Sequence, residues 1–523
     1  MKSRLSTRLT LYAVFLLGLF LRFYTLGSKS IWLDEAFTLW VAKHPLSEVW
    51  SWIARIDQHP PLYYLLLSLW VKLWGDSEVA IRSLPALLST ATLPLFYLTA
   101  RKVANANGAL LALFLLAVSP FHLHYAQENR MYSLLALAGC GAIYFTLGIV
   151  NKVSIETGDW RFGDWRVLGL AFSQAVGMWT HNTFVLFFPL ALLIGLVLGK
   201  MSGGLAGLRA RLMPCFRFLL TAEVLALLLW LPWTGNFVRQ SIKVDQEFWI
   251  QPTRFGQILD ALQRLLADHT TVPSLARLWI LCALILALAG GWWLIQQGKL
   301  AGSLLLSFWL TPFLAEILIG LRRPLLHPPS LIWTSLPLYL LIAVGMTQLK
   351  GKVANCELKI AKLSANYIHR SSLRQMVVVA ALGLVIISNG MGLSNYYQFV
   401  HKEQWADVAR YVHEQAELND LILFNATWVQ LPFEYYAQRD GFKAELRGMP
   451  VDLFERGVTE PKMRQEDLPY LRQLIANRRQ VWLIYSHSWY TDPQQLTLNE
   501  LRSQLVEKES KQFDGVEVYE FER

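Results

Sequence analysis

Apolar runs near or above the roughly 18-residue length that spans a bilayer recur from Leu9 to Met391, each bounded by charges or by Gly and Pro clusters. The bilayer is therefore the solvent for most of this fold. Only 16% of the residues are charged, against about 25% in a soluble domain, which excludes an ordinary cytosolic enzyme. The net charge of +10 would suit nucleic acid only if the basic residues shared one face, and they are scattered through short loops between spans, so no nucleic acid is expected as a partner. Cys140, Cys215, Cys282 and Cys356 are far apart, show no metal-ligand spacing and read as small core residues rather than a disulfide framework. Residues 9–26 follow Lys2, Arg4 and Arg8 but lack an A-x-A-like cleavage site, so they read as an uncleaved first helix.

Loop charge sets the topology. The positive-inside rule puts the N-terminus in the cytoplasm and residues 27–60 outside. Residues 61–74 lie between Pro60-Pro61 and Gly75. As a helix they reach about 21 Å, short of a hydrocarbon core of about 30 Å, so they should lie along the outer interface, where Tyr63, Tyr64, Trp70 and Trp74 are at home. Residues 79–100 then cross inward to Arg101 and Lys102, and residues 108–126 return outward. On that map Asp34 and Glu35 face the same side as Gln127, Glu128, Asn129 and Arg130; a spanning 61–74 would separate them. Residues 131–150 run inward, 167–198 form two short helices meeting at Thr180-His181-Asn182, and 218–235 cross outward to a long outer loop at 236–274. Spans near 275–296, 301–320, 330–348 and 375–393 bring the total to eleven crossings, with the C-terminus outside.

The expected fold is an all-α polytopic membrane domain over 1–394, with interfacial helices in the first outer loop, followed by a small extracytoplasmic α/β domain over 395–523. In the latter, residues 402–417, 464–477 and 494–508 read as helices and 420–424, 480–485 and 515–521 as strands. No catalytic motif is evident there, and His487 and Asp492 read as surface loop residues.

Several residue groups could carry chemistry. Asp34 and Glu35, flanked by Trp32 and Phe37 just past a span, occupy a depth where charge is costly unless solvated, paired or functional; a solvated pair at a helix N-terminus is the plain alternative. Gln58-His59-Pro60-Pro61-Leu62-Tyr63-Tyr64 presents His59 at the head of the short helix. Ser119 to Tyr132 crowds His122, His124, Glu128 and Arg130 at a helix end, and Arg82 and His181 lie at similar depth. Anions and cations gathered at one outer level suit a reaction in which a carboxylate activates an acceptor while cations hold a departing phosphate.

The Asp-Glu pair after the first span, HPPLYY, RSLP at Arg82 to Pro85, SPFHLHYAQENRMYSL and WTHNTF resemble the dolichyl-phosphate-mannose-type glycosyltransferases of family 39, GT-C fold enzymes whose bacterial relatives include lipid A aminoarabinose transferases. Lys402-Glu403-Gln404-Trp405 through Ala409-Arg410-Tyr411 also resembles the segment after the last span in many bacterial members. The resemblance is strongest over residues 30–190. It implies that Asp34 is the general base, with Glu35 beside it, and that Glu128 is a second acid orienting base or acceptor, or joining Asp34 on a divalent cation where one is used. It implies too that His59 meets the carrier phosphate, with Arg82 and Arg130 as phosphate or carboxylate partners. Tyr63 and His181 join them as substrate-binding candidates. Where many relatives carry an Arg-Tyr pair, this chain reads Arg322-Arg323-Pro324-Leu325-Leu326-His327-Pro328, so Arg323 or His327 would supply the missing cation. The implied reaction moves a sugar, with inversion, from a polyprenyl-phosphate donor to a glycan, lipid or protein acceptor, at the outer face of a plasma (inner) membrane. No Gly-rich nucleotide loop is present. The loop bearing Arg239, Lys243, Asp245 and Arg254 would be a lid over the donor. The rival reading, a transporter or lipid flippase, predicts charges buried at the midplane and repeated halves with broken helices.

Overall fold

The computed structural model describes residues 2–153, 164–202, 205–246, 254–268, 272–322, 326–348, 367–439, 441–452 and 462–523. The chain forms two compact units: Met1–Tyr24, Pro85–Phe237 and Ile250–Val400 in one, Thr25–Leu84, Val238–Trp249 and His401–Arg523 in the other.

The first unit is helical. Among the described residues of the whole chain, nine helices are long and apolar enough to cross a membrane, and ten if a bent pair counts as one span. Eleven were expected; the difference is Trp165–Thr180, whose 16 residues reach only about 24 Å. The bent pair is Ala106–Ala117 and Pro120–Ala126, turned by 55°. Pro120 cannot continue the ladder, and Ser119 accepts from the His122 amide to start the second helix. The carbonyls released at the bend are met by Arg22, wholly buried, which donates to Leu116 and Ala117 O at 3.4 Å, to Gly18 O at 2.9 Å and to Ser89 Oγ at 2.8 Å. Gln127 in turn donates to Tyr24 O at 2.7 Å and Arg22 O at 3.2 Å. Replacing Arg22 by Met keeps the bulk and removes the donors. It should cost about 1–3 kcal/mol in unsatisfied buried groups, read as a lowered Tm of the detergent-solubilised protein; an unchanged Tm contradicts this role.

One expectation is corrected in this region. Residues 236–274 are not an open loop: they carry the helices Thr234–Gln246 and Phe255–Ala267, the second closing with Leu265, Leu266 and Ala267 buried. The side chains of Lys243 and Asp245 lie outside the described residues. Two acids lie within spans. Glu316, in the span Leu300–Gly320, is fully buried and accepts from Ser330 Oγ at 2.6 Å and the His327 amide at 3.2 Å. Glu223, in the span Cys215–Ile242, accepts from Gln174 at 2.9 Å.

The second unit combines the first loop with the C-terminal segment. Its sheet has strands β1 (Leu421–Phe424), β2 (Glu445–Gly448), β3 (Gln480–Tyr485), β4 (Val506–Phe513) and β5 (Val516–Glu522), in the order β2-β1-β3-β5-β4. The β1 strand pairs parallel with β2 and β3, while β5 pairs antiparallel with β3 and β4. Alternation along β1 divides two cores: Ile422 and Phe424 pack with Trp405, Val408 and Phe433, and Leu421 and Leu423 with Leu471, Ile475 and Leu501. Residues 494–508, expected as one helix, are the helix Leu496–Gln504 followed by the start of β4, because an alternating charged edge strand is held by pairing with β5 rather than by its own propensity. The expected surface role of Asp492 is also corrected. It is fully buried and accepts from the Leu496 and Thr497 amides at 2.7 and 3.0 Å and from Tyr485 at 3.2 Å.

The short helix after Pro61 runs over Leu62–Trp74 and has 13 residues. Tyr63, Tyr64 and Leu67 are buried within the unit, whereas Leu73 and Trp74 are 75% and 65% exposed. Gly75, at φ 79°, stops it in a conformation that costs an L side chain energy.

Candidate active site

In the second unit, the acidic pair opens the helix Leu33–Lys43, where Asp34 and Glu35 fill the first turn and favour the positive end of the helix dipole. Glu35 is fully buried and Arg82 is 1% exposed. The guanidinium grips both carboxylate oxygens, Nε to Oε1 at 2.8 Å and Nη2 to Oε2 at 2.7 Å. Its remaining donors reach Lys29 O at 2.7 Å, Ser30 O at 2.9 Å and Leu26 O at 3.3 Å, and Lys402 Nζ adds a second cation to Glu35 Oε2 at 2.8 Å. Five guanidinium donors thus meet five acceptors, a complete inventory for arginine. Burial alone would push the Glu35 carboxyl up, but Arg82 and then Lys402 outweigh it and hold it well below the usual carboxylate range. Asp34 is half-buried beside this cluster, its carbonyl accepting from Thr38 Oγ1 at 2.7 Å.

His59 Nδ1 lies 3.1 Å from Asp57 Oδ1. Asp57 also accepts from the Gln58 amide at 2.7 Å and from the Tyr64 hydroxyl at 2.5 Å, and Gln240 donates to the Asp57 carbonyl at 2.9 Å. The imidazole is thus oriented by a carboxylate, which sequence reasoning missed although Asp57-x-His59 was readable. Tyr63 is fully buried, its ring centroid 6.5 Å from that of Tyr64.

The first unit holds a second group. Glu128, 3% exposed, has Oε2 at 3.3 Å from His124 Nε2, while His124 Nδ1 is 3.1 Å from Asp268 Oδ2, so one imidazole bridges two carboxylates. Asp268, at φ 59° just past the helix Phe255–Ala267, was not foreseen; no sequence signal ties it to a histidine 144 positions away. Tyr132 has its ring centroid 6.4 Å from His181 and 6.0 Å from His327, which brings three predicted segments together. His181 breaks the chain between the helices Trp165–Thr180 and Asn182–Ser202, with Nδ1 2.8 Å from Thr183 Oγ1. Arg130 is 5% exposed, and its amide donates to Glu128 O at 2.7 Å. His122 has a packing role instead, Nε2 lying 2.7 Å from Ser335 Oγ. Arg323 lies outside the described residues. Among the described residues, no group of three His, Cys, Asp or Glu side chains is gathered as a metal ion requires.

Residues 58–234 match the family model described as dolichyl-phosphate-mannose-protein mannosyltransferase, so the resemblance read from the sequence is borne out over that segment. An uncharacterized protein of Aquifex aeolicus is 35% identical over 109 residues, 19% of this chain; the match spans 22% of that relative's length. The apo crystal structure of ArnT from Cupriavidus metallidurans is similar over 99% of this chain and 98% of its own, at 15% identity and a TM-score of 0.63. The chain carries the GT-C fold. The same ArnT bound to undecaprenyl phosphate covers 98% of this chain and 97% of its own, at 15% identity and a TM-score of 0.59. The archaeal oligosaccharyltransferase AglB from Archaeoglobus fulgidus, in complex with an inhibitory peptide and a dolichol-phosphate, covers 99% of this chain and 74% of its own, at 10% identity and a TM-score of 0.59. The GT-C chain described here is thus an integral membrane protein with a small C-terminal sheet domain.

Proposed function

We propose that this GT-C protein transfers a sugar from a polyprenyl-phosphate donor to an acceptor on the extracytoplasmic side of a plasma (inner) membrane, inverting the anomeric carbon, with Asp34 as the general base. The observation that carries this reading is the division of labour in the acidic pair. Both Glu35 oxygens are committed to buried cations, so the base is the neighbouring Asp34, in the half-buried first turn of the same helix. Asp34 takes the proton as the acceptor oxygen or nitrogen attacks the anomeric carbon, the bond from that carbon to the phosphate oxygen breaks, and polyprenyl phosphate departs with the electron pair. The phosphate charge is met by His59, oriented by Asp57. Arg82 acts through Glu35, since its donors are satisfied within its own unit. Glu128, which His124 links to Asp268, matches the second acidic group of the family resemblance.

The similarity to an ArnT crystallised with undecaprenyl phosphate and to the mannosyltransferase family over residues 58–234 supports this donor class. Orientation rests on loop charge and is tested by single-cysteine labelling. Ser47→Cys, exposed in the first loop, should react with an impermeant maleimide in intact cells. Asn107→Cys, exposed just past Arg101 and Lys102, should react only after permeabilisation. The reverse pattern overturns the orientation. Transfer itself is tested by mass spectrometry of surface glycans, which should lack one sugar in cells carrying Asp34→Asn; an unaltered profile counts against the function.

A further inference from the structure

The Lys402-Glu403-Gln404-Trp405 segment, which resembles sequences after the last span in bacterial relatives, has a definite place in the second unit. The helix Leu33–Lys43 has Trp32 at its N-cap position, with no side-chain cap of its own, although the first amides of a helix need acceptors. Glu403 stands in for the cap: its Oε2 accepts from the Leu33 amide at 3.4 Å and from Trp405 Nε1 at 2.5 Å, while its Oε1 is 2.7 Å from His487 Nε2. One residue earlier, Lys402, with a side chain only 9% exposed, donates to Glu35. Ser30 Oγ accepts from the Ala406 amide at 3.5 Å, and Tyr436 OH accepts from the Ile31 amide at 2.8 Å. The same helix is held further along by the ring of Trp428 against Phe37, 4.7 Å between centroids. Its last-turn Lys43 pairs with Asp76, which also receives Arg439 at 3.1 Å. The turn that bears Asp34 is thus bracketed on either side by residues some 370 positions later in the chain.

We propose that Lys402 and Glu403 are positioning residues for sugar transfer: the C-terminal segment clamps the first turn of the helix Leu33–Lys43, so that Asp34 is presented in one fixed orientation. This rests on the reading of Asp34 as the base. It gives the C-terminal domain a part in the reaction although none of its side chains need touch substrate. A base displaced by about 1 Å loses rate on the order of a hundredfold, and a loosened first turn displaces it only part of the time.

Full-length Lys402→Met, Lys402→Arg and Glu403→Gln are to be purified and assayed with a synthetic polyprenyl-phosphate sugar, beside Asp34→Asn. Lys402→Met should lower kcat about tenfold with the donor KM within twofold of wild type, and Lys402→Arg should recover most of the rate. Hydrogen exchange at the amides of residues 33–38 should be faster in Lys402→Met and Glu403→Gln and of wild-type protection in Lys402→Arg. That measurement needs no turnover, and it reports even where one variant is recovered only in small amounts. Wild-type kcat in Lys402→Met, or unaltered exchange over residues 33–38 in both clamp variants, overturns the proposal. An active Asp34→Asn, by contrast, removes the base assignment whatever the clamp variants do.

Discussion

Asp34→Asn is expected to lower sugar transfer by about 10²–10⁴-fold, the range associated with loss of a positioned acid or base, while leaving the protein folded. Asn keeps the shape of the side chain, and the Thr38 contact is to the Asp34 backbone carbonyl. The stability cost is then the lost interaction of a negative charge with the helix dipole, about 0.3–1 kcal/mol. Donor KM should change little, because the base acts on the acceptor. Steady-state kinetics against a polyprenyl-phosphate sugar, with Tm recorded on the same preparation, reads both quantities. A rate within a few-fold of wild type would remove Asp34 as the base.

The second large effect is expected on stability. Arg82→Met strips Glu35 of a bidentate partner and leaves the Leu26, Lys29 and Ser30 carbonyls without a buried donor. Breaking a buried ion pair by removing one partner costs about 3–5 kcal/mol, so this variant should unfold well below wild type or fail to accumulate; a wild-type Tm contradicts the assignment. The pH dependence has a definite sign. Burial opposes ionisation of Glu35, but Arg82 and Lys402 outweigh it, and the carboxyl titrates below its ordinary value. A group with a depressed folded-state pKa contributes stability that is complete above the unfolded value, about 4.3 for Glu, and is lost as pH falls toward the folded value. Glu35→Gln should therefore be less stable than wild type by a constant margin between pH 7 and pH 5. That margin should shrink as the pH drops below about 4. A margin that grows on acidification would mean that the pair is not what holds the loop.

Much of this architecture was legible because membrane insertion imposes simple rules of length and charge. The short helix Leu62–Trp74, the break at His181 and strands β1, β3 and β5 stand where proline, polar interruptions and alternation put them. The helix Phe255–Ala267 was missed although Ile258, Leu262 and Leu265 repeat at helical spacing, because the charges around it resemble those of a connector. What the sequence hid were partnerships. Arg82 is an exposed-looking cation near a span end, and only the fold reveals that all its donors are used 47–56 positions back along the chain. Asp268 with His124 and Lys402 with Glu35 are joined over 144 and 367 positions, and no periodicity records such pairs. The sequence picked out the acidic pair, and the fold adds the partners of one member: both Glu35 oxygens are held by Arg82 and Lys402.

This GT-C protein is proposed to consume a sugar carried on a polyprenyl phosphate. The most direct measurement is mass spectrometry of the lipid pool after the purified, full-length protein is incubated in nanodiscs with a mixed extract of polyprenyl-phosphate sugars and a membrane acceptor fraction. With wild type, but not with Asp34→Asn, one glycosylated carrier should be depleted and the bare polyprenyl phosphate should accumulate in equal amount. An unchanged lipid pool, or equal depletion by both proteins, would contradict it.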